Sequence, residues 1–161
     1  MGNSLSDKQF DALIKIVQDE LAQTEFPVPS ASQSERKFTG AYVLPRLREI
    51  VSKTRENRIV VHGDGAHPAL RMNVAGMQFC PDAEFKINGE RLLAFEVKLI
   101  RPGDPSGSFA KAIGQAVSYR SLGYDAAFVL AFDTRPRHLL TTSSLKSKIE
   151  AVTHGVYTYF W

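Results

Sequence analysis

The stretch PDAEFKINGERLLAFEVKLI, from Pro81 to Ile100, decides how this chain is read. Asn88-Gly89 stands between two runs of alternating polarity. Both residues tolerate a positive φ, so the pair predicts a β-hairpin. Side chains alternate between the two faces of a strand. In the second run Phe95, Val97 and Leu99 share one face, and Ala94, Glu96 and Lys98 share the other. The bulky apolar set belongs to the core. In the first run Asp82, Glu84 and Lys86 share a parity, opposite to Ala83, Phe85 and Ile87. A three-residue loop, Asn88 to Glu90, sets Asp82 directly across from Glu96; a two-residue loop sets the pair on a diagonal. In either register, two carboxylates and an ammonium converge at one end of the hairpin.

Charge dictates what such a patch can do. Two carboxylates held close repel each other, and more so as the site dries out. A hard divalent cation removes that repulsion. Mg²⁺ binds through one or two carboxylates and keeps several waters, which leaves room for phosphate oxygens. It acidifies a bound water and neutralises charge on a phosphoryl group. Lys98, on the same face as Glu96, can orient that water or stabilise the transition state. The patch thus suits metal-dependent phosphodiester hydrolysis. It also suits a half-exposed hairpin carrying a cross-strand ion pair.

Pro81-Asp82, thirteen residues, then Glu96-Val97-Lys98 resembles the signature of the PD-(D/E)XK nuclease superfamily. Downstream, GQAVSYRSLGYDAAFVLAFD holds Gln115 and Tyr119, which match the QxxxY helix motif of RecB-type members. The resemblance runs over roughly residues 35 to 135, in the order helix, strand, PD strand, ExK strand, QxxxY helix, apolar strand. It implies an α/β fold, a three-layer α/β/α restriction-endonuclease-like core with a mixed central sheet. It implies Mg²⁺, with Mn²⁺ as a substitute, held by Asp82, Glu96 and the Val97 carbonyl. A glutamate on the first core helix often completes such a site. Glu35, in SERKF, fits that placement better than Glu49, in RLREI, although Glu35 also suits the first turn of a helix. Asp82, Glu96, Lys98, Gln115 and Tyr119 are the implied catalytic set, with Gln115 orienting Lys98 or a phosphate.

Composition bounds these readings. The 161 residues make one domain by length, 43% hydrophobic and 23% charged, as in an ordinary soluble globule. A net charge of +3 is compatible with a polyanionic partner without requiring one. The lone Cys80 excludes an intrachain disulfide and a Cys-rich zinc site, and fits a reducing, cytoplasmic setting. No apolar run reaches membrane-spanning length. The opening MGNSLS matches the short N-myristoylation pattern, which is read here as accidental.

Along the chain, Ser6 caps a helix with Phe10, Leu13, Ile14, Val17 and Leu21 at helical spacing. This gives a single domain, 1–161, divided into an N-terminal helix (1–24), a Pro/Ser-rich connector (25–34) and a nuclease-like core (35–161). SERKFTGAYVLPRLREIVSKT reads as a basic amphipathic helix that Pro45 starts or kinks. Gly76 marks a bend in LRMNVAGMQF, Gly123 caps the QxxxY helix, and Gly155 closes a last helix before the strand VYTYFW. His62 and His67 flank a turn without the further ligands a zinc site needs, and so read as loop residues.

For DNA contact the candidates are Arg101, Lys111 and Arg120, which border or follow the loop after the ExK strand. The run Arg36, Lys37, Arg46, Arg48, Lys53, Arg55 and Arg58 reads either as a phosphate-binding face or as a solvated one. The resemblance implies a DNA nuclease of restriction, phage, mobile-element or repair biology. Two alternatives stand beside it: a non-catalytic nucleic-acid-binding module, and a Holliday-junction-resolving homodimer in which Tyr157, Tyr159, Phe160 and Trp161 meet a second copy.

Overall fold

The Asn88-Gly89 pair forms the turn with both residues at positive φ, 51° and 83°. It joins β4 (Ala83–Ile87) to β5 (Glu90–Ile100) in antiparallel register. The structure, a computed structural model, describes residues 5–63, 65, 67–103, 105–134 and 142–161. The loop has two residues, since Ile87 pairs with Glu90. One bulge then alters the register: Lys86 pairs with Arg91 but Phe85 with Leu93, so Leu92 is an extra residue on β5. Leu92 and Leu93 both enter the same core cluster. Beyond the bulge Ala83 pairs with Phe95, and one further step sets Asp82 opposite Glu96. The short loop and the direct opposition therefore coexist, although sequence spacing presents them as alternatives.

Around the hairpin lies a mixed five-stranded sheet of order β1-β4-β5-β6-β7, with β1 (Ile59–His62), β6 (Ala126–Asp133) and β7 (Val156–Phe160). β1, β4 and β5 are antiparallel neighbours; β5, β6 and β7 run parallel. Parallel strands need crossovers, and α4 (Pro105–Ser121) and α5 (Thr142–Thr153) supply them. β6 is buried along its whole length, as a central parallel strand covered on both faces must be. Residues Phe95, Val97, Leu99, Phe128 and Leu130 pack with α1 (Asp7–Gln23), α2 (Glu35–Phe38) and α3 (Leu44–Lys53). Residues of the other parity, Ala94, Ala127, Val129 and Ala131, pack with Ala112, Ala116 and Tyr119 of α4. A separate two-stranded hairpin, β2 (Met72–Val74) and β3 (Met77–Phe79), turns at Ala75-Gly76.

Ser6 caps α1 and forms a capping box with Gln9. The connector does not set α1 apart: Val17 and Leu21 are fully buried in the main core, and Glu20 pairs with Arg46 and Lys53, both at 2.7 Å. The helix expected from SERKF to SKT is three pieces, because a π-helical turn, Thr39–Val43, separates α2 from α3. Pro45 lacks the amide that would bond the carbonyl four residues back. The ladder widens just before it, and the Leu44 amide reaches the Thr39 carbonyl.

The C-terminal aromatics complete the core. Trp161 stacks on Phe132 at 4.9 Å and donates its Nε1–H to the Thr24 carbonyl at 2.8 Å. Among the described residues, no helix is long and apolar enough to cross a membrane.

Candidate functional site

The site forms where β4 ends and β5 continues. Past Ala83 the outward amides of β5 have no strand partner on that side. Asp82 takes the first of them, its Oδ2 accepting from the Val97 amide at 2.7 Å. Glu35, at the start of α2, takes the next, its Oε2 accepting from the Leu99 amide at 2.8 Å. The Lys98 ammonium joins them, 3.1 Å from Glu35 Oε1. In a strand, a residue's amide and carbonyl leave on the same side. The Val97 carbonyl therefore faces the same edge as Asp82 and Glu35. Glu49, the other candidate, lies on the exposed side of α3 and pairs with Arg46 at 2.6 Å.

Glu96 lies on the α4 face of the sheet, the face it shares with Ala94, and is 4% exposed. Tyr119 donates its hydroxyl to Glu96 Oε2 at 2.8 Å. Burial pushes the Glu96 carboxyl up to about 8, with the Asp82 charge next in effect; the Tyr119 bond and Lys98 oppose them. Burial also raises Asp82, to about 6, against the Val97 amide bond; Glu35 raises it and Lys98 lowers it. Burial beside Glu96 holds the Tyr119 hydroxyl well above the ordinary phenol range. Gln115, one turn before Tyr119 on α4, keeps its Oε1 buried without a hydrogen-bond partner. Lys98 has taken Glu35 as its partner, so the role expected of Gln115 in orienting it is not seen.

Three carboxylates thus feel one another's charge in a half-dry corner with one lysine. That excess of negative charge is what a divalent cation relieves, and oxygen donors are the set Mg²⁺ or Mn²⁺ takes. Among the described residues, no three His, Cys, Asp or Glu side chains stand close enough to form a ready cage. The corner fits a cation held by one or two carboxylates, a carbonyl and waters.

The cationic candidates separate. Arg101 is exposed beside the site and donates to the Gln33 carbonyl at 2.6 Å. Lys111 is exposed on α4 in the i, i+4 row that continues through Gln115 to Tyr119. Arg120 lies at the other end of the sheet, donating to the Tyr124 carbonyl at 2.5 Å and the His154 carbonyl at 3.4 Å. It closes the C-terminus of α4 and does not meet the carboxylates. Three residues of the basic run are engaged by glutamates: Arg46 and Lys53 serve Glu20 and Glu49, and Arg58, past α3, serves Glu56. His62 ends β1 and His67 lies in the loop beyond it; their rings are tilted 58° with centroids 5.6 Å apart, and the Gly63 amide donates to the His67 carbonyl.

Sequence reasoning missed a second carboxylate–tyrosine pair. Glu84 is fully buried, accepts from the Leu70 amide at 2.7 Å and from the Tyr124 hydroxyl, and lies 3.2 Å from Lys86. Its parity with Asp82 was the available signal. Tyr124, just past the Gly123 cap, carried none. No family model, no curated protein and no solved structure matches the chain.

Proposed function

We propose that this protein is a divalent-metal-dependent nuclease that hydrolyses DNA phosphodiester bonds on a restriction-endonuclease-like core. The observation that carries the reading is the corner where Asp82, Glu35, Glu96 and Lys98 meet at the end of the β4–β5 ladder. The order helix, strand, PD strand, ExK strand, QxxxY helix and buried strand supports the same fold. When bound, Mg²⁺ or Mn²⁺ supplies an acidified water and charge neutralisation at a phosphoryl oxygen.

The chain's own residues do the rest. Asp82 and Glu96 would hold the cation, with the Val97 carbonyl as a neutral oxygen donor. Tyr119 fixes one oxygen of Glu96. Lys98 is held on Glu35, within reach of a phosphoryl oxygen, where its charge matters most as the phosphorus becomes five-coordinate. Gln115 has an unpaired amide oxygen for a water or for the lysine when substrate arrives. Arg101 and Lys111 offer positive charge at the rim for backbone phosphates, contacts that position a duplex without reading its sequence.

A second reading is a nucleic-acid-binding module without turnover. The observation in its favour is that Asp82, Glu35 and Lys98 all have internal partners, as structural groups would. Incubating the purified protein with supercoiled, linear, single-stranded and branched DNA, each with Mg²⁺, Mn²⁺ or EDTA, separates the two. Cleavage that EDTA abolishes supports the nuclease. Binding without cleavage of any DNA form in either metal leaves the module.

A further inference from the structure

Next to Asp82, on the side away from α4, an open cleft of about 330 Å³ runs between the start of α2 and the segment leading into β2. Arg36, Thr39, Arg71, Cys80 and Asp82 are among its lining residues. Arg36 and Arg71 stand exposed, and no carboxylate of the described residues pairs with either. The contrast with Arg46, Lys53 and Arg58, all engaged by glutamates, is what singles them out. The Arg71 guanidinium lies against the Cys80 thiol. Thr39 is 4% exposed, and its hydroxyl has no hydrogen-bond partner. A buried hydroxyl without a partner is costly, and helical threonine has two rotamers open to it. Thr39 lines the cleft beside both arginines.

We infer that Arg36, Arg71 and Thr39 form a phosphate subsite that holds the backbone phosphate next to the one cleaved at Asp82 and Glu96. Guanidinium forks match phosphate oxygens, and a hydroxyl fills a third oxygen's need. The substrate class is then a polynucleotide strand continuing past the scissile bond on the side of α2 and β2. The inference rests on the nuclease reading, but its test does not require cleavage.

Binding of a fluorescein-labelled oligonucleotide duplex is measured by anisotropy in EDTA, across a salt series, for the full chain. The variants are Arg36→Ala, Arg71→Ala, the double variant, Thr39→Val, and Lys8→Ala as a control for overall charge. Each lost phosphate contact lowers the slope of log affinity against log salt by about 1. The double variant is expected to lose about 2 from the slope and at least about tenfold in affinity at low salt. Thr39→Val is expected to weaken binding about threefold to tenfold while its Tm stays level or rises, since it removes an unpaired hydroxyl. Lys8→Ala, on the exposed side of α1, keeps the wild-type slope. Equal slopes for the double variant and wild type overturn the subsite, whatever the protein cleaves. A loss of slope that Lys8→Ala matches overturns it too. Wild type that binds no oligonucleotide overturns both readings. A selective loss in a protein that never cleaves upholds the subsite and removes only the hydrolysis.

Discussion

Replacing Glu96 by Gln removes a buried charge and keeps an oxygen for the Tyr119 hydroxyl. In the folded protein Glu96 ionises near 8, against an ordinary value of 4.5. A carboxyl raised in this way favours the fold while protonated. Its contribution is complete below about pH 4.5 and is lost as pH rises through about 8. Integrated from about pH 5 to about pH 9, the loss from Glu96 is about 4 kcal/mol. Asp82, raised from 3.8 to about 6, loses about 1 kcal/mol more over the same range. Wild type is therefore expected to fall by about 5 kcal/mol and Glu96→Gln by about 1 kcal/mol, out of a total stability of about 5–15 kcal/mol. Urea unfolding followed by Trp161 fluorescence and circular dichroism, in EDTA at a series of pH values, reads both curves. Parallel curves for the two proteins would refute the argument, because Glu96 would then carry no special burden. At the alkaline end, Mg²⁺ or Mn²⁺ should restore stability to wild type more than to the variant.

Calorimetry with Mn²⁺ should detect binding that Asp82→Ala abolishes; equal affinity in the variant removes the metal site. Lys98→Ala should lower DNA cleavage by about two to four orders of magnitude. Because Lys98 is paired to Glu35 with 16% of its side chain exposed, the same change should also cost about 1 kcal/mol of stability; an unchanged cleavage rate excludes a catalytic lysine. Tyr119→Phe deletes the donor to Glu96, and should cost about 1–3 kcal/mol and move the pH dependence of stability to higher pH. Gly63→Ala would bring a Cβ within 2.6 Å of the Asp82 carbonyl, at φ +148°, so it should destabilise the fold by at least about 2 kcal/mol and impair whatever Asp82 does. A wild-type melting curve for that variant would show that the loop yields.

How far the sequence was legible depends on how local each determinant is. The Asn88-Gly89 turn, the Ser6 cap and the glycine at 123 are set by neighbouring residues, so their reading carried over directly. The fully apolar run of β6 announced a central strand in the same way, α1 followed from helical spacing, and α5 from the run that Gly155 closes. Pro45 declared a break but not its form, because a π-helical turn depends on which amide replaces the missing one.

What only the tertiary structure decided were the meetings of distant segments. A one-residue bulge at Leu92 has no strong local signature, yet it sets Asp82 opposite Glu96 across a two-residue turn. Glu35 and Glu49 are equal as residue types on a helix. Glu35 joins the corner because α2 begins at the open edge of β5, where the Leu99 amide lacked a partner. Arg101 precedes α4 and Arg120 stands in its last turn, so the length of the helix carries Arg120 away from the carboxylates. The residue types and strand parity lay in the sequence because alternation is a property of a single strand. Which charges stand together did not, because Coulomb interactions act through space between segments that only folding brings together.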